Sequence, residues 1–231
     1  MRYYTYISEA KLDQLYSQVP RKVLSRLAGE LHIDAKIASM SVRNVEADLS
    51  TFDRLRLVER YIDEHCETGW FTEPRGWFRG ELDLRWAIVR RFGAVVHTGL
   101  DHDTVLAMVG SARHLVGQAK PVPGSELDTP ASDLPALLGI VERHVEDYRA
   151  MPFGAHGPTD RGWPFAGRYG PDEEEQEALE QVLYFSRGMR GPRQPCQFLA
   201  RRLLQGHTTG PDGQSVNVVI GTPLYVALSD E

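Results

Sequence analysis

The run Val105-Leu106-Ala107-Met108-Val109-Gly110-Ser111 contains five apolar residues in succession, followed by a glycine and a small hydroxyl residue. A short apolar run bounded by turn signals is typical of a strand that is buried on both faces. A glycine after such a run lets the backbone take unusual angles or lets another group come close. The run therefore predicts a central strand, and its far end at Gly110 and Ser111 is the leading candidate for a functional site.

Two further strands precede this central run. Between Leu82 and Ile88, apolar and charged residues alternate, as they do in a strand with one face in water. Gly93 marks a turn into residues 94–98, and the polar residues 101–103 mark a second turn into the central run. Three strands joined by such short connections predict an antiparallel meander.

Helix and strand patterns flank the meander on both sides. A Tyr-rich first strand is predicted at residues 3–7 and a last strand after the polar turn at 208–214. Apolar residues at helical spacing predict helices that begin at Ser8, Pro20, Ser50 or Thr51, Ser132 and Pro171, and a last helix over 195–205. Two irregular stretches are expected, a linker over 121–130 and an aromatic loop over 153–169 that is a candidate contact for a ligand or partner.

These elements define the expected fold class as α+β, an antiparallel-rich sheet with helices packed on one face. The first and last strands are both expected to join that sheet. The chain is expected to form a single domain over residues 1–231, with 130–205 as an alternative helical subdomain.

The composition limits the classes of function. The chain has 231 residues and a formal net charge of -6, so it lacks the broad basic surface of a nucleic-acid-binding protein. Cys66 and Cys196 lie too far apart for a metal or redox motif, and no cofactor is expected. No signal-peptide pattern and no apolar run of roughly 20 residues is present, so a cytoplasmic protein without a membrane span is expected.

The segment after the central strand carries the chemistry of an anion site. If a short helical turn begins at Ser111, its free N–H groups and hydroxyl can bind oxygens. Arg113 and His114 would add charge-assisted hydrogen bonds to a phosphate or carboxylate, and Gly110 would give the ligand room. The alternative is a strand–turn junction with Gly110 at a bulge and Arg113 on a wet edge.

A second cluster offers metal ligands. His97, Asp101, His102 and Asp103 are close in sequence, and His and carboxylate oxygens suit zinc or a harder transition metal. With His114 they define the alternative function, a metal-dependent hydrolase. Their spacing matches no established ligand motif, and a polar turn between strands would place the same residues there.

Four segments resemble, in order, a family of uncharacterised bacterial proteins. That family opens with a Tyr-rich strand and a Ser-acid-x-Lys-x-Asp helix that ends in Gln-apolar-Pro, here residues 6–20. It continues with Gly-Ser-x-x-His-Leu-x-Gly, here 110–117. It closes with Phe-Leu-Ala-x-Arg-Leu-Leu and Gly-[ST]-Pro-x-Tyr-Val-Ala, here 198–204 and 221–227.

The resemblance implies no established activity, but it implies a link to bacterial conflict or regulatory systems. It also adds Lys11 and Asp13 to the candidate site, although a surface ion pair would explain both residues as well. The expected function is a non-enzymatic ligand-sensing or protein-interaction module with an anion pocket formed by Gly110, Ser111, Arg113, His114 and Lys11. In the matching strand near the C-terminus, Gly221 and Thr222 are expected to form a structural bend.

Overall fold

The computed structural model describes residues 2–33, 49–89, 93–117 and 171–229, with the side chains of 171–174 excepted. The described helices are α1 Glu9–Gln18, α2 Arg21–Glu30, α3 Thr51–His65 and α4 Pro171–Gly188. The described strands are β1 Tyr3–Ile7, β2 Thr68–Trp70, β3 Trp77–Val89, β4 Ala94–Asp101, β5 Thr104–Ser111, β6 Gln194–Thr209 and β7 Ser215–Leu228. The predicted helix from Ser132, the linker over 121–130 and the aromatic loop over 153–169 lie outside the described residues.

The sheet closes into a barrel of five strands. The predicted meander is confirmed, since β3, β4 and β5 pair antiparallel in succession. Strand β5 then pairs parallel with β7, and β7 pairs antiparallel with β6. The ring closes because β6 also pairs antiparallel with β3 along eight residues, from Trp77 opposite Arg201 to Leu84 opposite Gln194. The α+β class is confirmed, whereas the sheet is mixed and closed.

The barrel has the connectivity of a Greek key. Three strands follow one another in the meander, and β6 returns through the long connection that contains α4 to lie beside β3. Two further strands extend the sheet outside the ring. Strand β1 pairs antiparallel with β7, which confirms that the first and last strands join one sheet, and β2 pairs parallel with β3.

The barrel encloses an apolar interior to which all five strands contribute. Because side chains alternate along a strand, one face of each strand points inward and the other outward. The interior residues and those that close its ends are all buried, and they are Tyr6, Phe71, Phe78, Leu84, Val95, Leu106, Met108, Ala112, Leu115, Cys196, Phe198, Ala200, Val219 and Val226.

Helices cover two separate patches on the outside of the barrel. Helix α4 packs Val182 and Leu183 against outward residues of β4, β5 and the first half of β7. Helices α1 and α3 pack Leu12 and Leu55 against β1, β6 and the second half of β7. The sequence predicts helices on one face of a sheet. In the structure the sheet is a closed barrel, and the helices cover two separate patches of its outer surface.

Helix α4 covers the surface that a related kind of barrel uses to bind oligonucleotides. The OB-fold is a five-stranded Greek-key barrel too, and it binds oligonucleotides across its second and third strands. Here those strands correspond to β4 and β5. Their outward residues Val96, Val105 and Val109 are fully buried in the cluster that contains α4. That face is therefore part of the core.

The predicted helix over 195–205 is wrong, because these residues form the middle of β6. Around residues 198–200 both faces of this strand are buried, with Phe198 inside the barrel and Leu199 against α1 and α3. A strand that is buried on both faces shows no alternation and resembles a helix in its pattern. Residues 195–205 of the alternative subdomain over 130–205 therefore belong to the barrel. Residues 130–170 of that subdomain lie outside the described ranges.

Candidate functional site

Gly110 makes room for a ring and not for a ligand. A Cβ atom at this position would lie 2.2 Å from the hydroxyl of Tyr6 and 2.6 Å from its Cζ. Tyr6 reaches this place from β1 and is fully buried at one end of the barrel. The space beside Gly110, which the sequence assigns to a ligand, is therefore filled by the ring of Tyr6, and Gly110 is not among the residues that line the cavity described below.

Gly221 has the same role on β7. A Cβ atom there would lie 2.6 Å from Cζ of Phe78, another ring inside the barrel. In both strands the residue after the glycine has the opposite orientation and reaches the outer surface. The two hydroxyl residues, Ser111 and Thr222, line one cavity. In both strands, the glycine thus leaves room for an aromatic ring inside the barrel. The hydroxyl residue that follows it faces the cavity outside the barrel.

This cavity lies between α1, the junction of β1 with α1, and the outer surface of β6 and β7. Its volume is about 510 Å³. Three of the predicted residues and Lys11 meet here, and the complete lining is Tyr6, Ser8, Ala10, Lys11, Gln14, Leu15, Gln18, Trp77, Ser111, Arg113, His114, Arg201, Arg202, Leu203 and Thr222. The lining holds four cationic side chains and no carboxylate among the described residues, although the chain as a whole carries an excess of acids.

Lys11 is the most deeply placed of these cations. Its Nζ donates long hydrogen bonds, each 3.4 Å, to the hydroxyl of Ser8 and the carbonyl of Pro223. Burial lowers the pKa of Lys11 to about 8, since a charged ammonium loses hydration there. Within the described parts of the chain no carboxylate pairs with Lys11, so its charge is poorly compensated.

Tyr6 also lines the cavity, and its hydroxyl lies beside Gly110 at the end of the barrel. The side chain is fully buried, and its hydroxyl has no hydrogen-bond partner among the described groups. Burial raises the pKa of Tyr6, although Ser8, the backbone of Ser111 and the charge of Arg113 act in the opposite direction. A buried phenol without a partner costs free energy unless a bound molecule accepts its proton in a hydrogen bond.

The turn after Ser111 is one turn of 3-10 helix, Ala112–His114. The expected free N–H groups are only partly available, because the amide of Ala112 donates to the carbonyl of Gly93 at 2.7 Å. Arg113 donates to Nε2 of His114 at 3.3 Å. Burial, Arg113 and Lys11 lower the pKa of His114 to about 4, so this imidazole is neutral at pH 7. Binding of an anion therefore depends on side chains.

A row of residues that the sequence did not reveal forms the floor of the cavity. On adjacent strands Trp77 lies opposite Arg201, and Arg201 lies opposite Thr222. The prediction of a helix over 195–205 hid this row, since it placed Arg201 at a helix end. A strand prediction for the same residues would have paired Arg201 with neighbours on both sides.

The other candidate residues take no part in this cavity. Asp13 is exposed and forms an ion pair with Arg54 of α3, as the surface alternative predicted. His97 lies inside the barrel, while Asp101 ends β4 and His102 and Asp103 form the turn to β5. Across the described ranges no three His, Cys, Asp or Glu side chains lie close enough to hold a metal ion, so the structure gives the hydrolase alternative no support.

The buried His97 predicts acid-sensitive stability. It is 1% exposed, its Nδ1 has no hydrogen-bond partner in the described structure, and burial lowers its pKa to about 4. Between pH 6.5 and 4 the unfolded chain binds a proton that the folded chain excludes. Stability should therefore fall with pH across this window, by about 3 kcal/mol from His97 alone.

Urea unfolding at pH 7, 5.5 and 4 measures this loss. The variant His97→Leu should lose about 3 kcal/mol less than wild type over the window. The exposed His207 offers a matched control, since His207→Gln should follow the wild-type curve. Equal pH slopes for His97→Leu and wild type would contradict the assignment of a neutral, buried imidazole.

The fold and the cavity define the class of the chain: a closed five-stranded Greek-key barrel with outer helices and a cationic cavity on its outer surface. The protein belongs to a family of unknown function (DUF7019), whose family model matches residues 2–230. No curated protein and no solved structure matches the chain. None of the described helices is long and apolar enough to cross a membrane.

Proposed function

We propose that the protein is a non-enzymatic ligand-sensing module that binds a small anion in the cavity between α1 and the barrel. The carrying observation is Lys11, a largely buried ammonium that has weak neutral partners and no described carboxylate partner. A bound anion would supply the missing counter-charge. Following the resemblance seen in the sequence, a bacterial regulatory or conflict system is the proposed setting.

The rest of the lining supports an oxyanion as the ligand. The hydroxyls of Ser8, Ser111 and Thr222 and the phenol of Tyr6 can each take part in hydrogen bonds to oxygen. The hydroxyl of Thr222 already donates to the carbonyl of Val109 at 3.0 Å, so Ser111 is the freer donor. Arg113 is exposed at the rim, where it can attract the anion and cover it.

The two titratable groups beside Lys11 are neutral at pH 7, because burial raises the pKa of Tyr6 and lowers that of His114. The positive charge that an anion would meet in this cavity therefore comes from Lys11 and the arginine side chains.

Calorimetric titration with inorganic phosphate and pyrophosphate at pH 7 tests the proposal. Wild type should bind at least one of them, and Ser111→Ala should weaken binding by about fivefold because it removes one hydrogen bond. Arg113→Glu should weaken binding more, since it adds a negative charge at the rim. Arg190→Glu, an exposed change outside the cavity, is the matched control. If wild type binds neither anion, the proposal is wrong.

A further inference from the structure

We infer that the ligand is a nucleoside phosphate, with its phosphate at the Lys11 end of the cavity and its base at the Trp77 end. This inference rests on the proposed anion-binding function and names the chemical class of the ligand. It follows from the order in which the cavity presents its groups, which is the same on both walls.

Helix α1 forms one wall of the cavity. Along this wall the lining side chains change from a cation at one end to apolar and amide groups towards the other end. Lys11, Gln14, Leu15 and Gln18 recur at helical spacing and so lie on one face of α1. From Lys11 to Gln18 the helix rises about 10 Å, at about 1.5 Å per residue. The ammonium therefore lies at one end of this wall, and Gln18 lies at the other.

The sheet wall changes in the same direction. Thr222, Arg201 and Trp77 are opposite one another on β7, β6 and β3. Neighbouring strands lie about 4.8 Å apart, so the backbone of Trp77 is roughly 10 Å from that of Thr222 along this row. Lys11 contacts Pro223, next to Thr222, which places the ammonium at the hydroxyl end of the row. Trp77 and Leu15 of α1 pack on one apolar cluster, which ties the indole to the later part of the helical wall. The two walls therefore run in the same direction, from an oxyanion end to the end that holds Trp77, over about 10 Å.

The aromatic end suits a nucleobase. Trp77 is partly buried and, like Leu15, packs on the apolar cluster beneath α1 and α3, which holds it in place. Nucleobases stack on such aromatic faces whatever their identity. The amide side chains of Gln14 and Gln18 can donate to and accept from a base edge. Arg201 lies between the two ends, where its guanidinium can contact a phosphate or stack on the base.

The size of the cavity agrees with this class of ligand. Its volume of about 510 Å³ lies within the range of small-molecule sites. The span between its two ends leaves space for a sugar between a phosphate and a base. A simple oxyanion would leave the Trp77 end empty.

Calorimetry on wild-type protein tests the inference without any substitution. The probes are inorganic phosphate, ribose 5-phosphate and adenosine 5′-monophosphate. The monophosphate should bind at least about tenfold tighter than ribose 5-phosphate, since stacking on the indole supplies the gain. Trp77→Leu should remove that gain, whereas Trp86→Leu, an exposed change elsewhere on β3, should behave as wild type.

The outcomes separate this inference from the proposed function. If phosphate binds but the base adds no affinity, the nucleotide assignment is wrong and the anion site stands. If none of these probes binds and pyrophosphate does not bind either, both are wrong. If a trinucleotide binds more than tenfold tighter than the monophosphate, the ligand is an oligonucleotide and the assignment to a mononucleotide is overturned. If Trp77→Leu does not fold, the relative affinities of the three probes for wild type still decide whether the base contributes to binding.

Discussion

Replacing Lys11 by methionine is expected to abolish binding of phosphate and pyrophosphate while raising the stability of the free protein. The methionine keeps most of the length of the side chain but removes the ammonium that an anion would neutralise. In wild type the affinity should also fall as pH rises through about 8, the pKa of Lys11 in the free protein. Arg113, Arg201, Arg202 and neutral His114 face the same cavity and keep their charge state in this range.

The gain in stability follows from the same buried charge. Because the pKa of Lys11 is lower in the folded chain than in the unfolded chain, its protonated form disfavours folding below pH 8. Lys11→Met should therefore stabilise the protein by about 1 to 3 kcal/mol at pH 7, and the advantage should shrink between pH 8 and 10.5. Thermal unfolding at both ends of this window measures the change.

The control for this variant is Lys22→Met, which changes an exposed lysine of α2. It should leave both anion binding and stability unchanged. A loss of stability in Lys11→Met at pH 7 would contradict the account, since it would mean that the ammonium is well compensated in the free protein. Retained anion binding in a stable Lys11→Met variant would exclude Lys11 from the site.

Gly110→Ala is expected to destabilise the protein by about 3 kcal/mol or more. The added methyl group would lie 2.2 Å from the hydroxyl and 2.6 Å from Cζ of Tyr6. The ring has no open space to move into, because it is fully buried between β1 and the barrel. Urea unfolding at pH 7 measures the loss.

Two comparisons show that the ring is the cause. Gly29→Ala places a methyl group on α2 with no atom within 4 Å, so it should be neutral or stabilising by up to about 1 kcal/mol. Tyr6→Leu in the Gly110→Ala background should recover part of the loss, giving a coupling energy of about 1 kcal/mol or more. If the two substitutions are additive, the contact between Gly110 and Tyr6 does not explain the requirement for glycine.

The sequence predicts those parts of the fold whose strands or helices bury one face. Leu82 to Ile88 alternates, and residues 12–19 repeat at helical spacing, so β3 and α1 were predicted correctly. Strand β6 was not, because its two faces pack on different cores and its apolar residues at 198, 199, 203 and 204 match a helical period. Closure of the barrel also could not be predicted, since it depends on parallel pairing of β5 with β7 over a long separation in sequence.

For the candidate site, the sequence located several side chains but not their arrangement. Ser111, Arg113, His114 and Lys11 do line one cavity. Gly110 signals a close approach, but the sequence does not show that the approaching group is the ring of Tyr6. Arg201 was missed because its place in the row depends on the register of β3, β6 and β7, which local patterns do not encode.

The most direct test of the central claim is to locate an oxyanion in the crystal. Tungstate scatters anomalously and has the tetrahedral shape of phosphate, so crystals soaked in it would reveal the position of a bound anion. The account predicts an anomalous peak in the cavity, within hydrogen-bond distance of Nζ of Lys11 and the hydroxyl of Ser111. An open, ordered cavity without a peak, or tungstate bound only elsewhere, would contradict it.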